Sequence, residues 1–195
     1  MKTDIIISGV GGQGNIFASL VISQYAMRKG YMVAGSETIG AAQRGGSVVS
    51  HIRVSTKPIY APLISRGQAD LLIGMEVIEM LRHMCLLNPQ GAYLLNFTKT
   101  PTVLNNMGLD SYPGDKEIRE GIRKYCKNGH VIDATREAHK LGNVQMTNVV
   151  LLGALVKMMP FFEREPMRNL IDELSPERFR QANIRAFEKG GELIP

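Results

Sequence analysis

The sequence predicts a three-layer α/β/α fold with a mostly parallel sheet, and three observations support this prediction. Short apolar runs typical of buried strands alternate along the chain with amphipathic helical segments. A Rossmann-like glycine turn, Gly9-x-Gly11-x-x-Gly14, joins the first strand to the first helix. The chain has 195 residues, of which 44% are hydrophobic, so it can build one sizeable core and is too short for two comfortable domains. We therefore expect a single domain over residues 1–195.

The first three elements are predicted as a strand, a helix and a second strand. The first strand includes residues 5–8 and runs directly into the glycine turn. The helix behind the turn is expected to bury one apolar face, formed by Ile16, Phe17, Leu20 and Val21. It ends near Gly30, which is placed for a left-handed C-cap, and residues 31–36 follow as the second strand.

The segment 47–54 alternates in polarity, which predicts a strand with one wetter face carrying Val49, His51 and Arg53. Residues 58–64 follow as a candidate hairpin partner, which would place an antiparallel strand at one edge of the sheet. His51 could act as a general base, but a lone histidine on a strand is more often structural.

The remaining elements continue the alternation of strands and helices. They are predicted in this order: strand 69–75, helix 76–87, turn 88–91, strand 92–97, helix 114–126, strand 130–135 and a long apolar helix at 144–159. A helical segment at 163–190 closes the chain, with helices at 165–174 and 176–189. Ser175 is placed as the N-cap of the last helix and Gly190 just past its end.

Composition excludes several classes of site. Cys85 and Cys126 cannot supply the four thiolates of an iron–sulfur cluster or a cysteine-rich zinc site, and His83, His130 and His139 show no metal-ligand spacing. We therefore assign no metal site and no catalytic residue. The net charge of +5 is scattered and has no interleaved aromatic residues, which disfavours nucleic acid and favours an acidic ligand or partner.

The sequence also predicts a cytoplasmic protein. Its longest apolar run, residues 149–156, is well short of the roughly 20 residues that a membrane span requires. The N-terminal residues enter a strand at once and show no secretory signal. Both cysteines are expected to be reduced thiols, which fits a reducing compartment. No membrane partner is expected.

The glycine turn is a candidate phosphate site. Glycine lets the backbone turn sharply and lets a phosphate approach the main chain, and the free N–H groups of a helix N-terminus attract an anion. The candidate contacts are Gly11, Gly12, Gln13, Gly14 and Asn15. The alternative is a tight strand-to-helix turn that holds no ligand.

A second candidate is the loop that follows the second strand, within residues 36–47, "SETIGAAQRGGS". Its polar side chains have no role in a core, and three glycines surround them. In wound α/β sheets neighbouring strand ends share one crevice, so this loop should lie beside the glycine turn. A binding loop is therefore favoured over a solvated spacer. Its candidate binding residues are Glu37, Gln43 and Arg44.

Two other functions stay open on the residues alone. Glu37 lies about 20 residues beyond the turn, which is the spacing of the acid that accepts a ribose 2′-OH in oxidoreductases that bind NAD(P) or FAD. Residues 43–46 have no task in a plain dinucleotide fold, and no catalytic pair is recognisable downstream, which counts against that function. A non-catalytic scaffold subunit is the other alternative.

Several motifs together carry a resemblance to a known family. Residues 9–14 and 37–53, in this order and spacing, resemble the gamma-type subunit of the 2-oxoacid:ferredoxin oxidoreductases. The stretches 142–155 and 180–192 are similar to the beta subunit of the indolepyruvate branch, and the likeness runs through the whole chain. The family usually carries a histidine where this chain has Ile39, so no proton transfer or ligand contact can be ascribed to that histidine here.

The resemblance implies a subunit of an enzyme that oxidatively decarboxylates a 2-oxoacid to an acyl-coenzyme A, with indolepyruvate or another aryl pyruvate as the substrate. It assigns thiamine diphosphate, magnesium and the 4Fe-4S clusters to a larger partner subunit, and ferredoxin is reached through the complex. This chain would then hold none of the catalytic cofactors and would be inactive alone. The isolated chain could form a homodimer.

Coenzyme A binding is the step that the resemblance associates with this chain. A glycine turn at a helix N-terminus suits the pyrophosphate of coenzyme A, and a nearby arginine suits its 3′-phosphate. The turn residues 11–15 are therefore expected to contact phosphate. Arg44 is expected to contact a second phosphate or the partner subunit.

Overall fold

A computed structural model describes residues 1–40, 45–101 and 103–195 of the chain. The strands are β1 (Lys2–Val10), β2 (Met32–Ile39), β3 (Ser47–Ser55), β4 (Ala69–Gly74), β5 (Leu87–Asn96) and β6 (Gly129–Ile132). The helices are α1 (Asn15–Arg28), α2 (Val77–His83), α3 (Val103–Asn106), α4 (Asp115–Tyr125), α5 (Ala134–Lys140), α6 (Thr147–Met158), α7 (Arg164–Leu174) and α8 (Arg180–Glu192). Short 3₁₀ turns occur at Met84–Leu86, Val144–Met146 and Glu177–Phe179.

The described strands form one sheet in the order β2-β3-β1-β4-β5-β6. β1, β4, β5 and β6 run parallel, and β3 is antiparallel to both β1 and β2. Helices cover both faces, because α1, α6, α7 and α8 contribute to the apolar cluster on one side and α2 and α4 to the cluster on the other. The predicted α/β fold with a mostly parallel sheet and a Rossmann-like first turn is confirmed.

The antiparallel strand does not lie at the edge of the sheet, where the sequence pattern places it. β3 is inserted between β1 and β2, with Ile52 opposite Ile5, and β2 forms the edge. Residues 58–64 form no strand. Pro58 and Pro62 lack the N–H groups that a strand ladder needs. The hairpin partner of β3 is therefore β2, and the loop between them carries the second candidate motif.

The predicted wetter face of β3 is wrong for two of its three residues. Val49 joins the apolar cluster beneath α2 and α4, and His51 is buried. Arg53 is half-buried, and its guanidinium Nε lies 3.0 Å from Oδ1 of the buried Asp4. The position of β3 explains the difference, since a strand inside a sheet with helices on both faces is packed on both sides.

α1 buries only part of the face that was predicted, since Val21 is buried and Phe17 packs against the core but the other two residues do not. Ile16 and Leu20 are 56% and 42% exposed, whereas Val21, Ile22 and Tyr25 are buried. The helix carries apolar residues on more than one side, so its periodicity could not define the face that meets β3 and α7. The position of α1 on the sheet selects that face.

The last helix differs from its prediction at both ends. The 3₁₀ turn Glu177–Phe179 precedes α8, so neither Ser175 nor Pro176 opens it. Ser175 is buried instead, and its Oγ accepts a hydrogen bond from Nδ2 of Asn183 at 2.8 Å. α8 continues beyond the predicted stop, which leaves Gly190 inside the helix and not past its end.

The glycine at position 190 is explained by the crossing of α6 and α8. A Cβ atom on Gly190 would lie 1.9 Å from the carbonyl oxygen of Val150, and one on Gly153 would lie 1.9 Å from the carbonyl oxygen of Phe187. The two backbones therefore touch directly, and no side chain fits between them. Packing, and not a C-cap, requires glycine at these positions.

Two further predictions in the second half are corrected. The turn predicted at 88–91 lies within β5, where the register against β4 shifts and forms a bulge. The strand predicted at 130–135 ends at Ile132, because the next residue starts a helix. The carboxylate of Asp133 accepts from the backbone N–H of Arg136 at 3.0 Å and caps α5, a helix that the sequence pattern did not reveal.

Candidate functional site

The candidate site lies at the carboxyl ends of β1 and β4. In the order β2-β3-β1-β4-β5-β6, the chain that leaves β1 continues to β2 and β3 in one direction along the sheet. The chain that leaves β4 continues to β5 and β6 in the opposite direction. Such a reversal opens a crevice outside the strand ends, and ligands of open α/β sheets bind there. The glycine turn between β1 and α1 forms one wall of this crevice. Met75 lies opposite, since its N–H donates to the carbonyl of Ser8 at 2.7 Å.

Glycine is required at several positions of the turn for different reasons. Gly12 and Gly14 have φ angles of +100° and +83°, which side chains rarely tolerate. A Cβ on Gly12 would meet no atom of the described residues within 4 Å, so none of them covers the backbone there. A Cβ on Gly9 would lie 2.7 Å from Oδ1 of Asn15, so that position is glycine because of close packing.

Three backbone donors of the turn have no acceptor among the described residues. The N–H of Gly11 donates to the carbonyl of Gly46 at 2.8 Å, and that of Gln13 donates to the carbonyl of Val10 at 3.2 Å. No acceptor within the described ranges pairs with the N–H groups of Gly12, Gly14 and Asn15. α1 also begins without a side-chain cap, and its 14 residues add a positive helix terminus. This arrangement attracts an anion to the turn.

The side chains of the turn shape the backbone. Oε1 of Gln13 accepts from the N–H of Val10 at 2.9 Å and closes the turn on itself. Asn15 is 3% exposed, and its Nδ2 donates to the carbonyl of Val48 at 3.3 Å, which ties α1 to β3. The predicted phosphate contact at Asn15 would therefore be made by its main chain, whereas the N–H groups of Gly11 and Gln13 are already paired within the fold.

The second loop meets the turn at its described end at Gly45, while its other described end, Gly40, meets Ser47 of β3. The N–H of Gly45 points to the carbonyl of Gly11 at 3.4 Å, and the N–H of Gly40 donates to the carbonyl of Ser47 at 2.8 Å. This confirms that the loop lies beside the glycine turn. Gln43 and Arg44, the two predicted binding side chains of this loop, lie outside the described residues.

A buried acidic group that sequence reasoning missed supports the loop from behind. Oγ of Ser47 donates to Oε2 of Glu79 at 2.5 Å, and Oε1 of Glu79 accepts from Nη1 of Arg82 at 2.7 Å. Glu79 is 3% exposed. Because a buried carboxylate needs such partners, Glu79 holds the first residue of β3 in place. Its sequence signal was the pair of glutamates three residues apart at the start of a helix.

Glu76, the other member of that pair, organises the segment after β5. It is 1% exposed and caps α2 by accepting from the N–H of Glu79 at 2.9 Å. Its second oxygen accepts from the N–H of Thr100 at 3.1 Å and from the hydroxyl of Tyr112. Burial raises the pKa of Tyr112, and the hydrogen bond to Glu76 raises it further.

Two asparagines fix the turn to the rest of the fold, and neither was predicted. Nδ2 of Asn148 on α6 donates to the carbonyl of Gly14 at 3.1 Å. Nδ2 of Asn96 at the end of β5 donates to the carbonyl of Met75 and to Oγ1 of Thr135, both at 2.9 Å. An asparagine within the apolar run of α6 was the available signal, because a polar group there needs a specific partner.

Glu37 is remote from the backbone donors of the turn. It pairs with Ser50 of β3, which pairs with Ile7, so it lies level with the middle of β1 and two strands away from it. Strands are about 4.8 Å apart and rise about 3.3 Å per residue, which separates Glu37 from Val10 both sideways and lengthwise. Its Oε1 lies 3.4 Å from Oγ of Ser50. This placement does not favour Glu37 as the ribose acceptor of a dinucleotide held at the turn.

His51 has a structural role. Its Nδ1 accepts from the backbone N–H of Ile64 at 3.1 Å, which anchors the segment after β3. Burial, and then the neighbouring His83, lower the pKa of His51, so its ring is neutral near pH 7. A ring committed to a backbone donor is not free to act as a general base at the crevice.

The described part of the chain contains no group of three or more His, Cys, Asp or Glu side chains that could hold a metal ion. Cys126 is buried and its Sγ lies 3.3 Å from the carbonyl of Gly91, while Cys85 is half-buried; both are free thiols. No helix in the described ranges is long and apolar enough to cross a membrane.

Comparison with known proteins identifies relatives along the full length of the chain. A family model described as "Pyruvate ferredoxin/flavodoxin oxidoreductase" matches residues 4–193. The indolepyruvate oxidoreductase subunit IorB of Archaeoglobus fulgidus is 37% identical over 192 residues, which cover 97% of this chain and 94% of the relative. IorB of Thermococcus kodakarensis is 34% identical over 189 residues, covering 96% and 93%. The 2-oxoglutarate synthase subunit KorC of Methanothermobacter marburgensis is 26% identical over 196 residues, covering 100% and 97%.

Solved structures share the fold. The gamma subunit of a keto/oxoacid ferredoxin oxidoreductase from Geobacter sulfurreducens superposes with a TM-score of 0.70 at 23% identity, covering 97% of this chain and 96% of that one. A 2-oxoglutarate:ferredoxin oxidoreductase from Magnetococcus marinus, solved with 2-oxoglutarate, coenzyme A and succinyl-CoA bound, gives 0.76 at 20% identity. That match covers 98% of this chain and 31% of the other, so the likeness is to one part of a longer chain.

Proposed function

Because the chain belongs to the pyruvate ferredoxin/flavodoxin oxidoreductase family, we propose that it is the small subunit of a 2-oxoacid:ferredoxin oxidoreductase acting on indolepyruvate or a related aryl 2-oxoacid. The observation that carries this proposal is the similarity to IorB proteins, at 34% and 37% identity over nearly the full length. Similarity to a 2-oxoglutarate synthase subunit is lower, at 26%, which favours the indolepyruvate branch.

The chain's share of the reaction is to bind coenzyme A and to complete the active site of a larger subunit. The N–H groups of Gly12, Gly14 and Asn15, which have no acceptor among the described residues, support a pyrophosphate at the turn, as does the space at Gly12 that no described atom fills. The Magnetococcus enzyme, solved with coenzyme A bound, is a structural relative that takes this ligand. Arg44 is proposed to contact a second phosphate or the partner subunit.

The redox cofactors of the reaction are proposed to reside on the larger subunit. A 4Fe-4S cluster needs four thiolates, and this chain has two cysteines, of which Cys126 is committed to backbone carbonyls. Thiamine diphosphate with magnesium would supply the decarboxylation chemistry there, and ferredoxin would accept the electrons through the complex. The residues of this chain bind and orient coenzyme A beside that site.

Co-purification tests the assignment directly. A tagged chain recovered from its native cell should bring a larger subunit that carries thiamine diphosphate and iron–sulfur clusters. The isolated chain, purified anaerobically, should be colourless and should not oxidise 2-oxoacids. A brown isolated protein, or turnover without a partner, would contradict the proposed division of labour.

A matched pair of valine variants tests the role of the turn. Gly12 and Gly30 both have positive φ, at +100° and +83°, and a Cβ on either meets nothing within 4 Å. Valine therefore strains the backbone at both ends of α1 in the same way, but only Gly12 lies at the crevice. In the reconstituted complex, Gly12→Val should raise the KM for coenzyme A at least about tenfold, since losing one charge-assisted hydrogen bond has that effect. Gly30→Val should leave it unchanged.

The same experiment separates the alternatives. If Gly12→Val assembles and keeps its KM for coenzyme A, the chain acts as a scaffold for the larger subunit. If that variant instead loses binding of NAD(P) or FAD, the turn belongs to a dinucleotide site. The placement of Glu37 level with Ile7, two strands out from β1, argues against the second outcome.

A further inference from the structure

A surface cavity of about 520 Å³ lies among α6, α7 and α8. It is lined by Gly153, Val156, Lys157, Phe162, Arg164, Phe187, Glu188, Gly191 and Glu192. It is separate from the glycine turn. Asn148, which contacts the turn, precedes Lys157 by nine residues on α6, a distance of about 13 Å along the helix. Nothing in the proposed reaction uses this cavity.

The interior of the cavity is apolar. Phe162 and Phe187 are both buried, and Val156 lies beside them. Gly191 contributes no side chain, and a Cβ there would meet only the carbonyl oxygen of Gly153, at 3.8 Å. The cavity therefore exists partly because α8 carries glycine where it passes α6. A volume of this size is within the range of small-ligand pockets.

The cavity is lined by two basic and two acidic side chains, which differ in their pairing. Glu188 is paired with Arg164 and with Arg168, and Glu192 is paired with Lys189 at 2.9 Å. Lys157 has no acidic partner in the part of the chain that the structure describes. It lies in the last turn of α6, where the helix terminus favours a positive charge. The cavity thus combines an apolar interior with one ammonium group that has no ion-pair partner among the described residues.

We propose that this cavity binds a small apolar monocarboxylate, such as an aromatic or branched-chain acid. The apolar body of the ligand packs against Phe162 and Phe187, and its carboxylate accepts a hydrogen bond from Nζ of Lys157. The single unpaired cation matches a single negative charge, and it does not match a nucleotide or another ligand with several phosphates. Burial of the apolar body provides affinity, and Lys157 provides the selection for an acid.

Phenylacetate is a suitable probe, and phenylacetamide is its neutral counterpart. Ligand-observed NMR or calorimetry on the full chain should show saturable binding of phenylacetate with a Kd of about 1 mM or tighter, as expected for a ligand of this size. Phenylacetamide should bind about fivefold or more weakly, since it cannot pair with the ammonium group. Equal binding of the two compounds would overturn the carboxylate assignment.

Three variants locate the site. Lys157→Met should weaken phenylacetate about fivefold or more and abolish the preference over the amide. Gly191→Leu fills the cavity from α8 and should abolish binding of both compounds. Lys124→Met, on α4 across the sheet, removes the same charge elsewhere and should change nothing. Binding that survives Gly191→Leu, or that Lys124→Met weakens as much as Lys157→Met does, would overturn the proposal.

A second variant that fills the cavity is needed in case Gly191→Leu does not fold. Val156→Trp fills the same cavity from α6, so thermal melts of both variants identify one that is folded. If a folded variant with a filled cavity binds phenylacetate like the wild type, the proposal is wrong. This measurement uses the isolated chain and no coenzyme A, so its result is independent of the function proposed for the glycine turn.

Discussion

We expect Gly190→Ala to force α6 and α8 apart. The new Cβ would lie 1.9 Å from the carbonyl oxygen of Val150, 2.8 Å from its carbonyl carbon and 2.9 Å from the backbone nitrogen of Ala154. All three atoms belong to the backbone of α6, so no side-chain rotation can relieve the clash. Since carbon and oxygen approach to about 3.3 Å, the two helices would have to separate by about 1.4 Å at this point.

The magnitude follows from two opposing effects. Overpacking of a core costs about 1–3 kcal/mol, and the upper end applies at position 190 because the obstacle is backbone. Alanine in place of glycine inside a helix stabilises the helix by about 1 kcal/mol. The free energy of unfolding should therefore fall by about 2 kcal/mol or more. For a chain of this size about 1 kcal/mol corresponds to 2–4 °C, so the Tm should fall by about 4–8 °C.

The neighbouring glycine provides the matched control. A Cβ on Gly191 would meet only the carbonyl oxygen of Gly153, at an ordinary contact distance of 3.8 Å. Gly191→Ala should therefore show only the gain in helix propensity, about 0.5–1 kcal/mol, and a slightly higher Tm. Thermal melts and urea unfolding of both variants provide the measurement. If Gly190→Ala is as stable as the wild type, or if Gly191→Ala is the less stable of the two, the packing argument is wrong.

Three other outcomes can be measured on the same protein. Glu79→Ala should lower the free energy of unfolding by about 1–3 kcal/mol because it leaves the Ser47 hydroxyl and the Arg82 guanidinium without their acceptor. Ser47→Ala should reproduce only part of this loss in urea melts. An unchanged midpoint for Glu79→Ala would contradict the supporting role of Glu79. The lowered pKa of His51 means that the unfolded chain binds the proton more readily, so stability should fall as the pH drops below about 6.5. His51→Asn should reduce the dependence of the Tm on pH between pH 7 and 5. An unchanged dependence would show that another group causes the loss of stability. Arg44→Ala should change the free energy of unfolding by no more than about 0.5 kcal/mol, so the Tm should stay nearly the same. It should lower the activity of the reconstituted complex more than Arg44→Lys does. A lower Tm with normal turnover would mark Arg44 as structural.

The sequence located the glycine turn and its neighbouring loop because their signals are local. Positive φ at Gly12 and Gly14 is required by the turn itself, and glycine is the residue that accepts it. The residues that hold this turn in place were not predicted. Asn148 and Glu79 come from distant parts of the chain, and a single polar residue in a helix does not indicate which backbone atom it will meet.

The sequence alone determined the α/β class, the strand at β4, the helix at α4 and the C-cap at Gly30, because each depends on the pattern or backbone preference of a short segment. The tertiary structure decided what depends on neighbours. It selected the face of α1 that leaves Ile16 exposed, and it placed β3 between β1 and β2 so that its second face is packed. It also put Gly190 inside α8. In that last case the reason is a backbone contact with Val150, and no sequence pattern distinguishes a glycine that ends a helix from one that lets two helices touch.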